Sequence, residues 1–280
     1  MGDPLQRAYV LGLALLLAAC SGGDAAGSDT ATDTDTATAT DTATDTATAT
    51  ATDTATATDT ATDTATDTAT DAATATATAW GPISGACGSL AAELNSANPA
   101  LLKNTWHFNN ANTFDVTKLT AGAKKRYDGP NAGGSSKCSE VMSMQLLAEC
   151  EGADVYKTET EIRYRKAGSI TDWAAKFGDE VVGVSVTRAY KGPTNLEFSE
   201  SDAVALLNKK LAGINESSAN VRPADKWVKQ VLHIWTMKPQ WAEIVEGAWQ
   251  GLDATLKADT VVLITVEENS EFVVADSCDD

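Results

Sequence analysis

Between Ser21 and Ala79 the chain has no aromatic residue, no leucine, isoleucine, valine or methionine, and no lysine or arginine. It is almost wholly Ala, Thr and Asp in TATD and TATA units. Without large apolar side chains such a segment cannot offset the conformational entropy of folding, so it reads as a disordered stalk. Its spaced aspartates repel one another, and about 55 residues then reach roughly 40 Å or more. Histidine is also scarce: there are two, and the five cysteines form no CxxC. Zinc-ligand spacing is therefore missing. GxxxxGK[ST] and GxSxG are both absent, which argues against a phosphate-binding P-loop and a hydrolase nucleophile elbow. No apolar run reaches the about 20 residues that span a bilayer. Bases are few, 21 against 39 acids, for a net charge of −18. The first 79 residues hold twelve of those acids and one base, leaving 20 bases and 27 acids, a net of −7, in the remainder. That is no electrostatic footprint for nucleic acid. A local basic patch could still exist, for example at Lys118, Lys124, Lys125 and Arg126.

The N-terminus carries a short apolar run, "AYVLGLALLLAAC", of signal-peptide length. Leu17-Ala18-Ala19-Cys20 resembles the bacterial lipobox. The resemblance implies cleavage before Cys20 and lipidation of that residue, a palmitate-type anchor holding the protein to a membrane. Several acyl chains at about 0.8 kcal/mol per buried CH₂ make such attachment permanent. Ser21 is not the Asp that retains some lipoproteins at the inner membrane, so the expected location is the cell envelope, at the outer membrane. Three regions follow: a signal peptide over 1–19, a lipidated Cys and tether over 20–79, and one globular domain over 80–280.

In the domain, "GSLAAELNSA" predicts a short helix and "NPALLKNTWHFNN" an irregular or mixed stretch. The glycine-rich "GPNAGGSSK" leads into a helix over about 137–150. Its commoner role is a flexible lead, although it could cradle an anion at the helix N-terminus. "ADVYKTETEIRYR" alternates, with Tyr156, Thr158, Thr160, Ile162 and Tyr164 on one side, and predicts a long half-buried strand. Strands over 169–177 and 180–189 flank a Gly178-Asp179 turn. Ser199 and Asp202 open a helix with a capping-box pattern. "KWVKQVLHIWT" (a strand), "PQWAEIVEGAWQGLDATLK" (a helix) and "DTVVLITVEE" (a buried strand) complete a βαβ unit, implying a parallel pair. The fold class expected is α/β, a mixed sheet with flanking helices in the order α-β-β-β-α-β-α-β. Cys138 and Cys150 lie twelve residues apart on one helix, about 18 Å, and cannot pair. Either Cys87 or Cys278 would reach back to this helix.

The element order, with "SSKCSEVMSMQLL", "TDW" and "VGVSVTRA", resembles the PD-(D/E)xK, restriction-endonuclease-like superfamily over residues 137–236. That resemblance implies Glu140 as the helix acid and Asp172 as the strand acid, with Ser185 and Thr187 standing where the family has E-x-K. Paired carboxylates hold the Mg²⁺ that generates hydroxide, and neutral Ser and Thr cannot replace them. The hairpin register sets Asp172 opposite Ser185. A similar turn at Ala167-Gly168 would set Arg163 opposite Asp172, so that Glu159, Glu161, Arg163, Asp172, Lys176, Ser185 and Thr187 share one face.

Three roles compete for that face. It could be a solvated sheet face, or a degenerate site that binds without cleaving. It could also be a rearranged metal-dependent nuclease in which Glu161 or Glu159 joins Asp172 on Mg²⁺ or Mn²⁺ and Lys176 or Arg163 supplies the cation. No cofactor is implied outside the nuclease reading, and no ligand is specified. The expected function is a membrane-anchored binding module on a nuclease-like domain. His107 and His233 sit among aromatics as packed residues rather than ligands. Trp241 and Trp249, eight apart on one helix, read as core.

Overall fold

In the computed structural model, residues 75–109, 113–130, 136–193 and 197–278 are described. The expected signal peptide, Cys20, nearly all of the tether and residues 131–135 of "GPNAGGSSK" lie outside them. The elements run β1 (Ile83–Gly85), α1 (Leu90–Leu94), β2 (Ala100–His107), α2 (Ala121–Asp128), α3 (Lys137–Glu151), β3 (Asp154–Thr158), β4 (Trp173–Phe177) and β5 (Glu180–Arg188). They continue with α4 (Glu200–Asn220), β6 (Lys229–Thr236), α5 (Pro239–Gln250), α6 (Ala254–Lys257), β7 (Val261–Glu268) and α7 (Phe272–Ala275).

All seven strands form one mixed sheet, ordered β1-β2-β7-β6-β5-β4-β3. Strands β2, β7, β6 and β5 are parallel, and β1, β4 and β3 pair antiparallel at the two sides. The α/β class, the helix–three strands–helix–strand order from α3 onward and the parallel β6–β7 pair match the sequence reading. Helix α4 begins with the predicted capping box: Ser199 Oγ accepts from the Asp202 amide, and the Asp202 carboxylate from the Ser199 amide.

Helices cover both faces. On one, α3 and α7 bury Met144, Leu147 and Phe272 against Trp106, Val184 and Trp235. On the other, α4 and α5 bury Leu207, Leu211 and Val245 against Leu232, Ile234 and Val262. Helix α3 is enclosed for most of its length, with every residue from Cys138 to Leu147 buried. Its ends are fixed by Cys138–Cys278 and Cys87–Cys150.

Several elements differ from the sequence reading. The strand expected over 169–177 begins at Trp173, and the single helix expected from Pro239 to Lys257 is broken into α5 and α6. Neither β1 nor α2 is among the expected elements. "ALLKNTWH" is a full strand, β2, paired with β7 across more than 150 residues of chain. The long strand expected over "ADVYKTETEIRYR" ends at Thr158 instead. Thr158 and Glu161 form a reciprocal capping box that winds Glu159–Glu161 into a 3-10 turn, so a local hydrogen-bond pair overrides the alternation. Beyond it Tyr164 makes an isolated bridge to Val221. Arg163 therefore does not oppose Asp172; its amide donates to Asp225 Oδ2 at 2.8 Å.

The tryptophans and His233 are interior. Trp227, Trp235, Trp241 and Trp249 are all buried. The His233 ring bridges Ser143 Oγ and Thr265 Oγ1, each at 2.8 Å. Burial pushes its pKa down from 6.5 to about 3. The folded ring stays neutral while the unfolded chain takes up a proton, so its contribution is full above pH 6.5 and is lost as pH falls toward 3. Replacing His233 with Gln removes that titration. The stability advantage of the native chain over His233→Gln is expected to shrink by on the order of 3 kcal/mol between pH 7 and pH 4. Urea unfolding of both proteins measures this, and a constant difference would mean that the folded ring is charged.

Candidate functional site

The charged residues gather where β4 parts from β5. Their register, Phe177 with Glu180 and Trp173 with Val184, would set Thr171 against Val186 if it continued. Thr171 turns away instead, its hydroxyl meeting Ser217 Oγ at 3.0 Å. The vacated hydrogen-bonding groups of Val186 are taken by side chains. Asp172 Oδ2 accepts from the Val186 amide at 2.5 Å, and Lys210 Nζ donates to the Val186 carbonyl at 3.0 Å. One peptide residue thus holds an acid from the hairpin beside a base from α4.

Behind Asp172 lies a buried ion network. Arg126 on α2 is 0% exposed and Glu140 on α3 is 1% exposed. Arg126 Nε donates to Glu140 Oε2 at 2.7 Å, and Ser136 Oγ to Glu140 Oε1 at 2.6 Å. The Arg126 guanidinium also lies 3.6 Å from Glu159 Oε1. The 3-10 turn that ends β3 is what carries Glu159 inward. Burial, and secondarily the Asp172 charge, push the Glu140 carboxyl up to about 7 despite Ser136 and Arg126. Burial likewise raises Asp172, opposed first by Lys210 and then by the Val186 amide, while Glu159 raises it further.

Of the residues singled out from sequence, Glu140 and Asp172 come together. Ser185 is buried on β5 and the half-buried Thr187 follows two residues on; extending the β4–β5 register sets Asp172 opposite Ser185. Glu161 is placed elsewhere: its exposed carboxylate is bound by Lys125 at 2.7 Å and by the Thr158 amide at 2.9 Å, which hold its pKa down. It is Glu159 whose charge reaches Asp172. Lys176 sits toward the turn, opposite Val181.

The four bases that could have made a basic patch are paired or interior. Lys118 pairs with Asp115, Lys124 with Asp128 and Lys125 with Glu161, while Arg126 is interior. Lys210 and Arg126 are the two cations of the site that the sequence did not reveal. "NKKLAGI" and "AKKRYD" look like solvated helix faces until the packing of α4 and α2 is known.

Two carboxylates, Glu140 and Glu159, thus flank the guanidinium, whose charge also acts to lower the pKa of Asp172. Both oxygens of Glu140 and one of Asp172 are already hydrogen-bonded. Among the described residues, no group of three or more His, Cys, Asp or Glu side chains is arranged to hold a metal ion. The cluster can neutralise and orient its own charges; the Asp172 carboxyl is buried within it although the residue as a whole, like Lys210, is half-buried.

No family model matches the chain. It is 37% identical over 165 residues to the AAC-rich mRNA clone AAC4 protein of Dictyostelium discoideum, over 55% of this chain and 24% of that protein. The chain therefore spans about a quarter of that relative's length. Among solved structures, SfsA of Pyrococcus furiosus in complex with Ca²⁺ matches at 12% identity and a TM-score of 0.24, covering 48% of this chain and 55% of that one. The chain's own architecture is a mixed sheet with an α-β-β-β-α-β order from α3 onward.

Proposed function

We propose that this chain is a bacterial lipoprotein, anchored by lipid at Cys20 to the outer membrane, whose Thr/Ala/Asp tether presents a nuclease-like domain as a binding module rather than a hydrolase. The observation that carries the non-catalytic reading is Arg126. A permanently charged guanidinium, fully buried between Glu140 and Glu159, already neutralises carboxylates that a divalent cation would need. The S-x-T strand supplies no further carboxylate.

Lys210 favours a second reading. Its ammonium meets the Val186 carbonyl beside Asp172, as the cation of a rearranged nuclease would, with Mg²⁺ or Mn²⁺ displacing Arg126.

Calorimetric titration of Mn²⁺ into the detergent-solubilised chain and its Asp172→Asn variant separates the two. Equal heats from both proteins, with no cleavage of plasmid DNA, are expected. Binding and cleavage that vanish in the variant would establish the nuclease reading. Incorporation of labelled palmitate, abolished by Cys20→Ser, tests the anchor independently.

A further inference from the structure

At the carboxyl ends of β2 and β7, three side chains form a hydrogen-bonded chain remote in sequence from the charged hairpin. Ser84 Oγ lies 2.9 Å from His107 Nε2, and His107 Nδ1 is bonded to the Glu268 carboxylate. Sheet register brings them together. Strands β1 and β2 run antiparallel with Ser84 opposite Thr105, and β2 and β7 run parallel with His107 opposite Glu268. Ser84 and His107 are thus diagonal neighbours on one face of adjacent strands, within side-chain reach. His107, expected as a packed residue among aromatics, instead has its side chain 35% exposed.

The order of contacts is that of a serine nucleophile, its base and the acid that orients the base. A carboxylate can only accept, so in the neutral ring Nδ1 carries the proton and Nε2 keeps the lone pair that accepts from Ser84 Oγ–H. GxSxG marks one way of presenting such a serine, on a strand-to-helix elbow. The triad itself recurs on unrelated folds and is recognised by geometry. Ser84 also lines a cavity of about 210 Å³, with Gly85, Thr105, Pro239, Ala242 and Val266. Glu243 lines it too, and the Lys103 ammonium there is taken by Glu246, so an anionic acyl group is disfavoured. The β1–β2 ladder alternates, so the Gly85 amide, like the Ile83 amide that donates to the Thr76 carbonyl, turns away from β2. That leaves a backbone donor next in the chain to the nucleophile.

We propose that Ser84, His107 and Glu268 form a nucleophile–base–acid triad that hydrolyses esters of short, uncharged acyl groups. Ser84 Oγ attacks the ester carbonyl carbon as its proton passes to His107 Nε2. The bond from that carbon to the alkoxy oxygen then breaks, and the alcohol leaves with the proton. Water repeats the sequence on acyl-Ser84: Nε2 takes its proton, the bond to Oγ breaks, Ser84 recovers the proton and the carboxylic acid is released. Ser84 and His107 are the catalytic residues, and Glu268 is a positioning residue that acts through the ring. The inference goes beyond the binding-module reading, which concerns the Asp172 cluster, and shares no residue with that cluster.

The test uses the full chain in detergent, with a fluorophosphonate as covalent probe and 4-nitrophenyl acetate as substrate. Phosphonylation of Ser84, located by peptide mass spectrometry, is expected in the native protein, so this arm needs no variant to fold. Hydrolysis is expected to fall at least about a hundredfold in Ser84→Ala and in His107→Gln. Glu268 is exposed, and Glu268→Gln is expected to lower kcat at unchanged KM, a split that a merely structural bond would not produce. Labelling that spares Ser84, no labelling, or equal hydrolysis by the native and Ser84→Ala proteins would overturn the proposal. The three side chains would then be a hydrogen-bond chain tying β1, β2 and β7 together. An Asp172-dependent nuclease activity would defeat the binding-module reading through a separate measurement and leave this one standing.

Discussion

Arg126→Met is expected to cost about 3–5 kcal/mol, a large share of the stability of a domain this size. The substitution leaves Glu140 and Glu159 buried with their common counter-ion gone. The Coulombic gain of the native pair largely offsets the cost of taking its charges out of water. Removing one partner exposes the whole of that cost. The denaturation midpoint, followed by tryptophan fluorescence, measures it. The double variant Arg126→Met, Glu140→Gln should recover a substantial part of the loss, because the amide carries no charge and Ser136 can still donate to it. A loss under about 1 kcal/mol for the single variant would mean that Glu140 is already protonated in the native state and that Arg126 contributes mainly by packing.

Opening Cys138–Cys278 is expected to cost about 2–5 kcal/mol. The bridge spans a sequence separation of 140 residues, so its cross-link removes much loop-closure entropy from the unfolded chain. It also seats the C-terminal segment, where Asp276 Oδ1 accepts from the Cys138 amide at 2.7 Å. Cys87–Cys150 spans 63 residues and is half-buried. Its neighbourhood is secured a second way, by Glu151 accepting from the Gly88 and Leu90 amides. The double serine variant at 138 and 278 should therefore unfold at lower urea than the one at 87 and 150. Mild reduction should open Cys87–Cys150 first, because both Cys138 and Cys278 are shielded from reagent. Alkylation of the thiols followed by mass spectrometry gives the order, and release of Cys278 first would refute it.

Several features were legible because they are local. The Gly178-Asp179 turn pairs Phe177 with Glu180 and so sets the whole β4–β5 register. The same is true of the Ser199–Asp202 capping box and of the impossibility of a Cys138–Cys150 bridge. Strand β2 was not legible, because "LLKNTWH" lacks clean alternation: it packs Leu101 toward α5 and Leu102 and Trp106 toward α3. The end of β3 carried conflicting signals. Its alternation continues through Thr160 and Ile162, but Thr158-Glu159-Thr160-Glu161 is also a T-x-x-E capping pattern, and the two hydrogen bonds it makes prevail.

The sequence by itself determined an α/β element order and the register of the β4–β5 hairpin. Each depends on composition or on neighbours a few residues apart. The tertiary structure alone decided which charges matter. Arg126 meets Glu140 across 14 residues and Lys210 meets Val186 across 24, while Glu161, a natural partner by spacing, is held by Lys125 at the surface. The energy of an ion pair is set by distance and by exclusion of water. Neither is a property of the linear chain until helices α2, α3 and α4 have packed on the sheet.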